Sequence, residues 1–186
     1  MIIHFVRTDK FTKRNSTPMT KAWCMDRLVV PTLDVTFESA GEAISNVLNE
    51  SQKKKYLQPG FRFQIVNTWR PLLPKIEDRP LAVCDPRSIN LADIFPADKV
   101  YPHWLQEIYY LRYNSSQKWY WLPEQTSSQI LLMKMFDSKA DASAKFCPHI
   151  SFDNPGKRAS APPRESIETR SLVITKESGF QHVKGS

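Results

Sequence analysis

The spacing of apolar positions changes character near residue 60. Residues 1–31 hold neither a period of 2 nor one of 3.6 over any useful length, and RTDKFTKRNSTPMTK is polar and turn-prone, which predicts a loosely held arm. Ala40, Ala43, Ile44, Val47 and Leu48 then fall on one helical stripe behind Ser39 and Glu42, a capping-box pair, so one short helix is expected over about residues 40–49. From Phe61 onward the pattern is that of strands. FRFQIVNTW alternates, LAVCD is a compact apolar run, and IYYLRY and KWYWL flank the turn signal Asn114-Ser115-Ser116-Gln117. QILLMKMF fits a helix or a strand by period alone, and its length and surroundings favour a buried strand. KFCPHISF and SIETRSLVIT supply two more. Pro71, Pro74, Pro80, Pro86, Pro96, Pro102 and Pro123 stand between these runs and read as strand ends and turns. The expected fold is mostly β, a sandwich or jelly roll of about seven or eight strands, with NPGKRASAPPR (residues 154–164) as a surface loop and residues 177–186 as a frayed tail.

Composition narrows this further. A chain of 186 residues with 41% hydrophobic content suits one globular domain, and no run approaches the roughly 18 apolar residues of a membrane span. MIIHFV is too short for a signal-peptide core. Cys24, Cys84 and Cys147 are odd in number and widely spaced, against both a disulfide framework and a zinc finger, so a reducing, cytoplasmic setting is expected. The net charge of +7 invites a nucleic-acid reading, but residues 1–31 hold six Lys/Arg against two Asp and so carry most of it. Lys53-Lys54-Lys55 reads as a solvated face. Neither a nucleic acid nor a membrane is expected as a partner.

Candidate chemistry is sparse. Of four histidines, His4 and His182 lie near the ends, His103 sits in a Tyr-Pro-His-Trp loop, and His149 stands in an apolar strand-like run where its imidazole needs a partner. Arg164 and Ser166 share a face by alternation, so a guanidinium fork and a hydroxyl can hold one carboxylate together; an ion pair of Arg164 with Glu165 or Glu168 is the alternative. In NTWRPL, Asn67 and Trp69 share one face and Thr68 and Arg70 the other, at a strand end that either lines a ligand cleft or is stapled by tryptophan packing. Asp85 and Asp137 read as turn caps after strands.

The ordered series FRFQIVNTWRPL, DRPLAVCDPRSI, EIYYLRYNSSQKWYWLPEQ, QILLMKMFDS, CPHISFDNP and PPRESIETRSLV resembles the fungal and bacterial hydroxylase/desaturase family of secondary metabolism, which includes gibberellin desaturase and cephamycin methoxylation proteins. The likeness runs over about residues 32–174. It implies a double-stranded β-helix, or jelly roll, occupying residues 32–176, and a non-haem Fe(II)/2-oxoglutarate oxygenase that hydroxylates or desaturates a small secondary metabolite. Such enzymes place His-x-Asp on one strand and a second His far downstream, because two imidazoles and a carboxylate on one face of Fe(II) leave the other face open. By this resemblance Asp34 and His149 are the metal ligands and Arg164 and Ser166 hold 2-oxoglutarate; Asn67, Trp69 and Arg70, read from NTWRPL, are the candidate substrate-binding residues.

Thr32 stands where the resemblance puts the first histidine. A hydroxyl is a poor Fe(II) ligand beside an imidazole, so weakened metal binding is expected. Two readings follow: an oxygenase impaired by a divergent or truncated amino-terminal side, or a non-catalytic jelly-roll partner of a biosynthetic pathway. A homo-oligomer is compatible with either.

Overall fold

The computed structural model of the chain describes residues 2–10, 31–139 and 144–177. In chain order the elements are β1 (Ile2–Lys10), β2 (Thr32–Leu33), α1 (Ala40–Val47), α2 (Glu50–Tyr56), β3 (Phe61–Pro71), β4 (Leu81–Cys84), β5 (Ile94–Tyr101), β6 (Trp104–Leu111), β7 (Trp119–Trp121), β8 (Leu131–Asp137), β9 (His149–Ser151) and β10 (Glu165–Lys176). Single 3₁₀ turns at Pro86–Ser88 and Leu91–Asp93 precede β5.

The strands form two antiparallel sheets, a four-stranded one in the order β1-β10-β3-β8 and a six-stranded one in the order β5-β6-β2-β9-β4-β7. Alternation along β3 buries Ile65, Asn67, Trp69 and Pro71 and turns Arg70 outward. Ile65 and Trp69 join Met133 and Met135 of β8, Leu172 and Ile174 of β10, and Leu81 of β4 in the main apolar cluster. The two sheets therefore share one core, and α1 joins it through Ala40, Ile44 and Leu48. A smaller cluster of Leu33, Tyr109 and Phe146 lies at the β2–β6 pairing.

Several local expectations are corrected. Residues 2–10, read as part of a loose arm, pair with β10 from Ile2↔Val173 to Lys10↔Glu165. The long β10 offers an open edge, and backbone pairing there does not require the side-chain period that the sequence lacks. Residues 11–30, with Cys24, lie outside the described residues, as do residues 178–186 of the tail. Ser39 makes no side-chain cap on α1; its hydroxyl bonds Thr36 instead. The working capping box is Asn49–Gln52 at the start of α2, a helix with no buried residue and hence no apolar stripe to betray it. IYYLRY and KWYWL are not hairpin partners: β6 pairs with β5 and β2, and β7 with β4. Strand β5 includes Pro96, which an edge position tolerates because one side of the strand has no ladder to donate to.

Candidate metal and co-substrate site

A cavity of about 960 Å³ opens between the sheets. Strand β10 and the residue just before it line it at alternate positions, Arg164, Ser166, Glu168, Arg170 and Leu172, while β3 contributes Ile65, Asn67 and Trp69 from the opposite side of the same pairing. Thr32 and Asp34 enter from β2 and its continuation, and His149 from β9. Thr32 is paired directly with His149 across the β2–β9 ladder, so position 32 stands beside the imidazole.

Asp34, His149 and Glu168 bring potential ligand atoms within 4.8 Å of one another. His149 is 9% exposed, and its Nδ1 lies 3.2 Å from the Cys147 carbonyl oxygen. A carbonyl only accepts, so Nδ1 carries the proton and, in the neutral ring, Nε2 presents a lone pair. That atom faces Asp34 Oδ1 at 3.9 Å, too far for a hydrogen bond. The other oxygen, Oδ2, accepts from Asn67 Nδ2 at 2.7 Å and from Arg170 at 2.5 Å. Asn67, fully buried, also donates to Glu168 Oε1 at 2.5 Å and accepts from Arg170 Nε at 3.0 Å. One amide thus ties the two carboxylates together. Gln106 adds a 2.8 Å bond to the Asp34 backbone carbonyl. The Glu168 carboxyl is pushed above its ordinary range first by burial and then by the charge of Asp34, with His149, Asn67 and Arg170 pulling the other way.

These donors suit a divalent cation. Bonds of about 2.1 Å put ligand atoms roughly 3–4 Å apart, a modest contraction of the arrangement seen. They do not reproduce the two-imidazole set, because Thr32 offers a hydroxyl in the neighbouring position. At the start of β10 Ser166 is buried, and just before the strand Arg164 is 7% exposed with its guanidinium 5.9 Å from the Trp69 ring centre and an Nη1 bond of 3.4 Å to the Arg79 carbonyl.

Asp34, His149, Arg164, Ser166, Asn67 and Trp69, singled out in the sequence, all line this one cavity; Arg70 does not. It is exposed on the outer face of β3, where alternation puts it. Asn67 donates to both the Asp34 and the Glu168 carboxylates. Asp137 is more than a turn cap: Arg62 at 2.8 and 2.6 Å, Lys134 at 2.7 Å and Gln64 at 3.2 Å converge on its buried carboxylate. Sequence reasoning missed Glu168 and Arg170, although the alternation that joins Arg164 to Ser166 continues through both.

A family model described as an oxidoreductase/YMDC permease-like domain matches residues 6–174. The chain belongs to this oxidoreductase family. Among its relatives, hydroxylase/desaturase efuI of Hormonema carpetanum is 32% identical over 92% of the chain and 62% of its own length. Aspirochlorine biosynthesis protein N of Aspergillus oryzae is 40% identical over 61% of the chain and 48% of its own length. The Fe(II)/2-oxoglutarate-dependent dioxygenase nvfI of Aspergillus novofumigatus is 37% identical over 61% of the chain and 41% of its own length. A solved structure of the iron and alpha-ketoglutarate-dependent endoperoxidase NvfI superimposes with a TM-score of 0.75 at 26% identity, covering 95% of this chain and 63% of that one. The chain spans about half the length of the curated relatives it matches. The oxidoreductase family thus comprises hydroxylase/desaturases and Fe(II)/2-oxoglutarate dioxygenases of fungal secondary metabolism, and the fold is their jelly roll. No helix among the described residues is long and apolar enough to cross a membrane.

Proposed function

We propose that the chain is an oxidoreductase of the hydroxylase/desaturase type that tailors a small secondary metabolite in the cytoplasm with Fe(II) and 2-oxoglutarate. The observation that carries the reading is the convergence of the Asp34 carboxylate, the His149 Nε2 lone pair and the Arg164/Ser166 pair on one cavity between two sheets. When bound, iron and 2-oxoglutarate supply the oxidising power: O₂ is consumed, the keto acid leaves as succinate and CO₂, and the substrate is oxidised.

The residues of the chain do the rest. Asp34 and His149 hold the cation, with His149 fixed in one tautomer by the Cys147 carbonyl and Asp34 turned by Asn67 and Arg170 so that Oδ1 faces the imidazole. Arg164 neutralises the far carboxylate of 2-oxoglutarate and Ser166 donates to it, in a wall where Trp69 excludes water. The remaining volume, bordered by Val47, Leu105 and Ile108 together with Glu42, Asp98 and Lys99, receives the small-molecule substrate.

The test is conversion of 2-oxoglutarate to succinate under air with added Fe(II), expected to be detectable and abolished in His149→Ala. Thr32 favours a second reading, a non-catalytic partner of a biosynthetic enzyme. Succinate at the no-enzyme rate, with metal binding absent as well, supports that reading against the first.

A further inference from the structure

We infer that Glu168 is the third protein ligand of the cation in this chain, standing in for the imidazole that position 32 lacks. The inference rests on the proposed metal site and adds a donor to it.

Three observations support it. First, the neighbouring strand position that would carry a second imidazole holds Thr32, whose hydroxyl competes poorly for a divalent cation. Second, the His149 side chain is nine-tenths buried and lines the cavity, where its Nε2 stands 3.9 Å from Asp34 Oδ1, beyond hydrogen-bond reach. Third, Glu168 completes the cluster: an atom of its carboxylate lies within 4.8 Å of both other donors.

The surroundings orient Glu168 for the task. Among the described residues its carboxylate receives one hydrogen bond, from Asn67 Nδ2 to Oε1, which leaves Oε2 for a cation. The same amide holds Asp34 Oδ2, so both carboxylates are presented by one fully buried side chain. Two carboxylates held close together in a partly buried cavity oppose each other, and a divalent cation between them reverses that opposition. Trading an imidazole for a carboxylate also makes the site more oxygen-rich, which moves its preference toward Mn(II).

The experiment titrates Mn(II) into the metal-stripped 186-residue chain, following loss of the free-ion paramagnetic resonance signal, for wild type, Glu168→Gln, Glu168→Asp and His149→Ala. Gln keeps the oxygen that accepts from Asn67, and Asp keeps the charge while withdrawing it by one methylene; circular dichroism of each metal-free variant checks folding. Glu168→Gln and Glu168→Asp are each expected to weaken binding at least 10-fold, and the bound ion in wild type to show coupling to a single imidazole nitrogen. Wild-type affinity in both folded Glu168 variants, alongside loss of binding in His149→Ala, overturns the role of Glu168 and leaves the metal site standing. Wild-type affinity in His149→Ala as well places the ion elsewhere and removes both.

Discussion

Replacing Thr32 by histidine is the sharpest test of the cavity. Residue 32 is paired with His149 on the adjacent strand, and opposed residues of an antiparallel pair project to the same face with Cβ atoms about 5 Å apart. Both line the cavity, so an imidazole at position 32 reaches the space between Asp34 and His149 without moving the backbone. Structural zinc sites with four ligands bind with about 10–16 kcal/mol at neutral pH, or roughly 3 kcal/mol per ligand. Fixing the new side chain costs about 1 kcal/mol of rotamer entropy. The net of about 2 kcal/mol predicts roughly 30-fold tighter binding. Anaerobic calorimetry with Fe(II), repeated with Mn(II), reads it directly. A folded Thr32→His protein whose dissociation constants move less than about threefold contradicts the geometry on which this value rests, because a second nitrogen donor beside His149 has no way to be silent.

Arg164→Lys replaces a planar fork by a point charge and is expected to weaken 2-oxoglutarate binding to the metal-loaded protein about 10-fold or more, with Ser166→Ala costing less; calorimetric titration separates them. Asp137→Asn tests a stability element away from the cavity: burial alone would raise that carboxyl, but Arg62, Lys134 and the Lys139 N–H together hold it well below the usual range. A folded-state value below the unfolded one of about 3.9 means that the stabilisation is whole above the unfolded value, shrinks below it and is lost as pH falls through the folded one. The variant should lose about 3 kcal/mol near pH 7, or roughly 6–12 °C in Tm, with the gap to wild type narrowing below about pH 4; urea melts across that range check it. Burial pushes the Cys147 thiol up to about 11 and raises that of Cys84 as well, so alkylation followed by peptide mass mapping should leave both unmodified at pH 8 in the native state.

Most of the site could be read from residue order, because β-strands translate spacing into direction. Arg164 with Ser166, and Asn67 with Trp69, were pairs at i and i+2, and both pairs face the cavity. The same rule put Arg70 outside, and including it among the cleft residues overrode the rule. Glu168 was harder to see. As a carboxylate between Thr169 and Ile167 on a strand, it looks like surface even though it continues the Arg164–Ser166 alternation, and the pairing of β10 with β3, which opposes Glu168 to Trp69 and Arg170 to Asn67, shows which face is inside. Helix α2 escaped for the opposite reason: all its residues face water or the rim, and its support comes from the Asn49 cap and the edge-on contact of Tyr56 with Phe61 at 5.5 Å. Strand β5 was concealed by Pro96, which signals a break except on an edge.

Arg164, Ser166, Glu168 and Arg170 hang at every second residue from a single stretch of backbone. Point substitutions remove these groups one at a time, but a one-residue slip of β10 against β3 leaves them in step with each other and out of step with the cavity, turning all four toward the opposite surface together. A changed letter in this stretch therefore costs the cavity one group, and a changed register costs it four at once.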